Sequence, residues 1–600
     1  MIEDAITELA KSKGLPLKGK VSLPHAKPYE ATTGNIIGFI FFGGLFLVCI
    51  TGIIVEYTNL FGTPNYQGIE EGDEGKKDKE LVRSKSLPGR ALLAFSFSRN
   101  LRKMFWAPQG KNDYLSVLNG IRVLSMAYII LGHTHESFQG PPLINPEAAL
   151  ELVTNLNGMI VMGAFYAVDT FFFLSAFLGA YLMIPKLKNQ SIKNFVMIYF
   201  HRFFRLIPTL ALFIAFILTF MMFTGSGPVF DQIHFFLIEP CKKYWWTILI
   251  FVNNFYPPVG TINCMNILWY LANDMLFFMF LPIVIIVYCR SKLMGYILSC
   301  FLIVASMIVA FSLAAAHHHP ITIIKDSKIR EIYHQPYTRF GAYFVGCLFG
   351  ILYSEWMKAK KNPELRKLPG AIIFNTIEGS RILRFVLHFT GAGVMVFFIV
   401  ITYTETRVAN RVVWPQMASN FFNAFHRVLF VSALGMFLAG AMVGKSRLVR
   451  FVFGGSVWAP WAKITFMIYL VHTVVIIWFY IQVRQAIYFT ERLAIFYFFA
   501  ALILSFLVAV PMSLLIESPI MQINNCCLAL ILQNQKFEKP VISSTIQKEK
   551  LIQETSSELE EEEFHFEKIN ESDFEKKKES QITHQSELTI KNSVNGSDES

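Results

Sequence analysis

The sequence is poor in charge. Only 16% of its 600 residues are Asp, Glu, Lys or Arg, whereas 54% are hydrophobic and Phe alone contributes 58. A soluble chain of this size carries more charge and fewer long apolar runs, so the composition excludes an ordinary soluble enzyme and predicts a polytopic helical membrane protein. Cysteine is scarce too: eight residues, scattered along the chain, are too few for a disulfide scaffold or a zinc site, and no metal is expected. No cleavable signal peptide is evident. The first apolar run, Ile36 to Tyr57, is long enough to span and lacks a small-residue cleavage site. The net charge of +11 needs no nucleic-acid partner, because the basic residues cluster between apolar runs, where they suit cytosolic loops against anionic lipid.

What is present is a series of apolar runs. The expected organisation starts with a short segment 1–35 and an anchor helix 36–57. A charged linker 58–115 follows, in which Leu92–Phe105 alternates apolar and basic residues and lies along the membrane surface. A transmembrane domain 116–520 comes next, with spans near 117–136, 159–184, 206–223, 267–289, 294–316, 338–357, 385–403, 426–444, 463–485 and 493–516. Tyr244–Val252 is apolar but too short to cross, and reads as a loop or re-entrant piece. The tail 521–600 is rich in Glu, Lys, Ser and Gln beyond residue 535 and cannot form a core, so it is expected to be mostly disordered. The fold class is thus all-α: a membrane bundle of about eleven helices. Gly346 and Gly350, one turn apart, would allow close helix packing.

Loop charge sets the expected sidedness. The loops after the second, fourth, sixth and eighth core spans carry clustered Lys and Arg, and share a side with segment 58–115, whereas segment 137–158 has neither. The basic side is read as cytosolic, which places the C-terminus there and the N-terminus in the lumen or outside. The N-terminal lysines argue the other way for the first span. The membrane is the plasma membrane or an endomembrane. On this topology Cys241 and Cys264 are the one cysteine pair on the oxidising side, and a disulfide between them is expected.

Ionisable and polar residues inside spans are costly and mark candidate sites. Leu118–Thr134 carries Arg122 near its start and His133 near its end, about three turns apart. His133 either ends its helix at the headgroups or does chemistry. Asp169 lies within the second core span and needs a partner from a neighbouring helix, or stays neutral against backbone. Arg202 and Arg205, three apart, share a helix face; paired guanidinium forks suit phosphate, although positive flanking residues would look the same. Trp269, Tyr270, Asn273 and Asp274 open the fourth core span, either lining a cavity or forming an interfacial belt. Arg339 opens a later span, and His472 puts a second imidazole within one. His317–His319 reads as a solvated tract, because three consecutive side chains do not converge on one ion.

The ordered motifs LNGIRVLSMAYIILGHT, AVDTFFFLSAFL, HRFFRLIPTLAL, CKKYWWTILIFVNNF, LWYLANDMLFFMFLP, PYTRFGAYFVGCLFG, ITFMIYLVH and Glu517-Ser-Pro519 resemble the acyltransferase 3 family, in its nose-resistant-to-fluoxetine branch, over roughly residues 90–520. The resemblance implies ten family helices preceded here by an extra one. It also implies acyl transfer from acyl-CoA or a similar donor, usually to a sugar or lipid hydroxyl. The family's helix-one His matches His133, and its Arg-x-x-Arg pair matches Arg202 and Arg205. Two departures stand out: a short stretch before the first helix instead of a larger cysteine-containing domain, and Ser175-Ala-Phe177 where Ser-Gly-Phe is usual.

The function read from this is an O-acyltransferase with acyl-CoA as co-substrate and no bound cofactor. His133 is the general base, Asp169 or a neighbouring polar group holds its imidazole, and Arg202 and Arg205 take the donor phosphates. Cavity-lining candidates are Arg122, Trp269, Tyr270, Asn273, Asp274, Arg339 and His472. The partners are the lipid bilayer, acyl-CoA and a hydroxyl-bearing acceptor. The branch is also linked to lipid and drug uptake, so a transporter using the same polar cavity without chemistry is the alternative.

Overall fold

In the computed structural model, residues 29–58, 87–105, 114–139, 142–188, 192–258, 261–322, 330–407 and 412–524 are described, all within one unit, Met1–Cys527. The N-terminal lysines, the linker around Glu70, Cys526, Cys527 and the Glu-rich tail lie outside these residues. Among the described residues no strand forms, only an isolated bridge between Leu143 and Ile487, and eleven helices are long and apolar enough to cross a membrane.

These helices are α1 (Thr33–Thr58), α2 (Val117–Glu136), α3 (Ala164–Leu187), α4 (Ile192–Phe220), α5 (Trp269–Arg290) and α6 (Lys292–His317). They continue with α7 (Phe340–Lys361), α8 (Arg381–Ile401), α9 (Gln416–Met442), α10 (Trp458–Ile481) and α11 (Glu491–Met512). The protein is a polytopic helical bundle. Two helices start well before the expected 206 and 426, namely α4 at Ile192 and α9 at Gln416. Polar side chains depress the apolar signal there, yet the fold satisfies them. Within α9, Gln416 donates to the Asn420 side chain and Asn423 to the Pro320 carbonyl.

The core gathers on α3. Phe172, Phe173, Ala176, Phe177 and Ala180 are fully buried, and α7 lies directly on them. A Cβ at Gly346 would stand 2.3 Å from the Phe173 carbonyl oxygen, and one at Gly350 would stand 2.6 Å from that of Phe177. The two glycines therefore seat one helix of this chain on another; this close approach is internal to the bundle. By contrast α1 and α8 bury only 11% of their most apolar stretches, which puts them on the periphery. The anchor α1 is pinned at both ends. Asn35 Nδ2 donates to the carbonyls of Leu218 (3.1 Å) and Thr219 (3.0 Å), and buried Glu56 pairs with Arg102 and accepts from Ser98 at 2.6 Å. Its intervening Ile37, Ile40 and Leu47 are exposed, as a lipid-facing surface requires.

Beyond α4 the chain makes the helix Glu239–Leu249 where a loop or re-entrant piece was expected, and Cys241 and Cys264 are disulfide-bonded with Cα atoms 4.3 Å apart. At the end of α6 the His tract is not wholly solvated: His319 is buried, with its carbonyl facing Gln416 Nε2 at 3.4 Å.

Candidate functional site

Residues from the end of α2, the start of α5 and the middle of α10 meet in the interior. The last turn of α2 carries His133, whose Nδ1 is 2.9 Å from Glu136 Oε2. A carboxylate only accepts, so Nδ1 donates and the neutral ring keeps its lone pair on Nε2. Glu136 retains 69% of its side-chain surface. His472 of α10 lies beside this pair, with ring centroids 5.3 Å apart. Its Nδ1 is 2.7 Å from the Tyr469 carbonyl and must donate to it, so its buried Nε2, which has no partner among the described residues, is an acceptor.

The wall opposite is aromatic. Tyr270 stacks near Phe172 and Tyr469, at 4.7 and 5.5 Å between centroids. Trp269 stacks on His334 at 4.9 Å and 25°. The segment Arg330–Thr338, which carries His334, is held from below by two arginines: Arg339 Nε donates to the Tyr333 carbonyl and Arg427 Nη1 to that of Ile332, at 3.1 Å. Burial pushes the Tyr333 phenol up to about 12, so it stays protonated. Asn254 Nδ2 donates to Asn273 Oδ1 at 2.6 Å and Asn273 Nδ2 to the His334 carbonyl at 2.8 Å. Asn273 is thus a tie between the disulfide-bonded loop and this wall, and is fully buried instead of lining a cavity.

Farther along, the cations gather. Arg202 pairs with Asp274 and lies 3.9 Å from the Phe278 ring centroid. Arg205 is 3.7 Å from Glu517, so the two arginines of the Arg-x-x-Arg motif address different carboxylates. Arg122 is within electrostatic reach of Tyr270 and Arg205. Among the described residues no carboxylate pairs with it. On the same helix it stands eleven residues before His133, about 16 Å at the α-helical rise.

Two expectations change. Asp169 does not hold His133: it is 1% exposed and its Oδ1 is 2.7 Å from Arg339 Nη1. Arg339 is fully buried in that pair and lines no opening. A carboxylate at this depth is stabilised by the nearest guanidinium, and α7 lies directly on α3. The partner of His133 is Glu136, which sequence reasoning missed, although its position three residues on was a usable signal. His334 and Arg427 were missed as well. His334 sits in a polar segment between spans, and Arg427 was taken for the edge of one.

An apolar cavity of about 60 Å³ lies between α4, α10 and α11, lined by Phe213, Ile217, Met221, Val471, Val475 and Met512 among others, with no residue of the site in its lining. Val471 adjoins His472 in the chain, and Val508 at the cavity's edge is exposed on the outer surface.

Comparison with known proteins identifies the family. The family model described as an acyltransferase domain matches residues 115–514, two thirds of the 600. Nose resistant to fluoxetine protein 6 of Caenorhabditis elegans is 25% identical over 472 residues, covering 74% of this chain and 54% of that protein. Regulator of hypoxia-inducible factor 1 of the same organism is 21% identical over 292 residues, 44% of this chain and 56% of that one. The chain spans about half the length of these curated relatives. No solved structure matches. With all ten core helices, from α2 to α11, beginning inside the matched region, the chain belongs to the acyltransferase 3 family.

Proposed function

We propose that the protein transfers an acyl group from acyl-CoA to a hydroxyl, with His133 as general base. The observation that carries this reading is the His133–Glu136 hydrogen bond, with the His472 ring 5.3 Å from that of His133. Glu136 fixes Nδ1–H, which leaves Nε2 to take the proton of the acceptor hydroxyl. The hydroxyl oxygen attacks the thioester carbonyl carbon, the carbon–sulfur bond breaks, and the leaving thiolate takes the proton back from the imidazolium. Atoms and charge balance with no further reactant. Arg122, with which no carboxylate pairs among the described residues, draws the donor's phosphates together with Arg202 and Arg205. On the charge-based topology these arginines lie toward the cytosolic side, where CoA is found, and His133 toward the other. Acyl transfer from labelled acyl-CoA by purified protein in lipid nanodiscs tests the reading, and a His133→Ala protein that folds and keeps full turnover overturns it.

The second reading is carriage of a lipid or small molecule without chemistry. The feature that favours it is the apolar cavity between α4, α10 and α11, whose lining includes the part-exposed Val508. Saturable binding of a lipid, with no acyl product from any acyl-CoA, would support carriage.

A further inference from the structure

The first residues of α3 lie beside the last turn of α2, since a Cβ at Gly132 would stand 2.7 Å from that of Ala164. With 24 residues, about 36 Å at the α-helical rise, α3 therefore ends at the side of the bundle opposite His133. Three more helix ends meet it there. The Cys289 thiol faces the Ile184 carbonyl at 3.9 Å, which joins the last turn of α5 to that of α3. The Tyr288 hydroxyl donates to Glu355 Oε1 at 2.8 Å, which joins α5 to α7. The Tyr288 and Tyr296 rings, with centroids 5.9 Å apart, join α5 to the start of α6.

Three of these ends carry a lysine. Lys188 caps α3, Lys292 opens α6 and Lys358 lies in the last turn of α7. Lys188 and Lys292 are exposed and Lys358 is half-buried. Lys358 is within electrostatic reach of both of the others. Among the described residues no carboxylate forms an ion pair with any of the three. Glu355 is within reach of Lys358, but it is 1% exposed and uses both oxygens inside the fold, Oε1 for Tyr288 and Oε2 for the Gly370 N–H at 3.0 Å. One carboxylate facing three ammonium groups leaves two positive charges unanswered, and like charges held together are costly until an anion joins them. Basic residues that merely flank a span need not converge. Lys361 and Lys367, both exposed, follow one another along a single stretch, whereas Lys188, Lys292 and Lys358 come from three helices.

A phosphomonoester matches what is unmet. It carries a charge of about −2 at pH 7 and three acceptor oxygens, and basic pockets between the cytosolic ends of membrane helices take headgroups of this kind. The place is separate from the arginine pair. Asp274, the partner of Arg202, stands fourteen residues before Tyr288 on α5, about 21 Å at the helical rise.

We infer that the ends of α3, α6 and α7 form a binding site for a phosphomonoester group, held between Lys188, Lys292 and Lys358 at the membrane face opposite His133. The group arrives on a lipid of that leaflet or on a soluble molecule. Such a site holds whether or not the protein transfers acyl groups.

Full-length protein in phosphatidylcholine nanodiscs is compared with protein in nanodiscs that also contain phosphatidic acid, and with the first preparation in millimolar glycerol 3-phosphate. Reductive methylation of lysines is followed by mass spectrometry of the peptides. Lys188, Lys292 and Lys358 should react several-fold more slowly with at least one of the two phosphates, while Lys361 and Lys367 change little. Protection by phosphatidic acid alone assigns the group to a lipid, and protection by glycerol 3-phosphate assigns it to a soluble molecule. Equal slowing of all five lysines would mean a diffuse surface potential, and no slowing in either arm would mean that no phosphate binds; each overturns the inference. A Lys188→Gln, Lys292→Gln variant, changed only at exposed positions, should keep the wild-type thermal transition and lose the protection of Lys358. Full protection of Lys358 in that variant overturns the inference as well.

Discussion

Glu136 Oε2 accepts from His133 Nδ1 at 2.9 Å, so the carboxylate one turn farther along α2 decides which imidazole nitrogen is left to act. The pair is local: one helical turn holds both base and orienting group. Glu136→Gln leaves the shape intact, but its amide can present N–H to Nδ1 and favour the other tautomer. Turnover should fall about 10²-fold, toward the lower end of what a general base supplies, with donor affinity little changed. Initial rates and equilibrium donor binding on the same preparation separate the two effects. A Gln variant with full turnover removes Glu136 from the mechanism.

Asp169 and Arg339 answer to stability instead. Each is the other's buried partner, and stranding one charge costs about 3–5 kcal/mol. Asp169→Ala should lower the thermal transition in detergent sharply, whereas Asp169→Leu with Arg339→Met should recover much of it. Recovery of the fold together with activity would show that this pair does no chemistry.

The arginines make a sharper test than charge removal alone. Arg122→Gln should weaken donor binding about ten- to a hundredfold, the loss of one charge-assisted contact of 1.5–3 kcal/mol. Asp274→Asn releases Arg202 from its carboxylate and should tighten donor binding. A stability loss without that gain would mark the Arg202–Asp274 pair as architecture.

Cys241→Ser opens a loop whose bonded ends are 23 residues apart. On the chain-entropy model this removes about 3 kcal/mol. The thermal transition of unreduced protein should drop to that of the reduced wild type, and non-reducing peptide mapping of the wild type should recover the 241–264 crosslink.

Gly346→Leu drives a side chain into the Phe173 carbonyl, since even a Cβ would stand only 2.3 Å from it. Overpacking of this kind costs about 1–3 kcal/mol, more where backbone must move. Gly393, with open space around its Cβ position, is the control: Gly393→Leu should leave the transition within experimental spread.

The bundle was legible because its runs exceed what any soluble helix presents, and each became one helix. His133, Arg202, Arg205 and His472 were legible for a related reason: a charge or imidazole among apolar residues stands out. Pairing was not legible. Asp169 and Arg339 are 170 residues apart, and hydropathy carries no information on which helix lies beside which. The same blindness displaced the starts of α4 and α9. Buried polar residues with internal partners look, in a window, like loop. Glu136 was overlooked because it sits at the last residue of its helix, where an acidic residue reads as the start of a loop.

The distance in sequence between Asp169 and Arg339 also orders events during synthesis. At about 5–20 residues per second, the 170 residues that separate them take roughly 10–30 s to make. Through that interval α3 waits without its partner guanidinium, and an unpaired carboxylate is costly to bury. The ion pair is therefore a late event of biogenesis. It closes only when α7 arrives and brings Arg339, so the packing of α3 against its neighbours is completed from the second half of the chain.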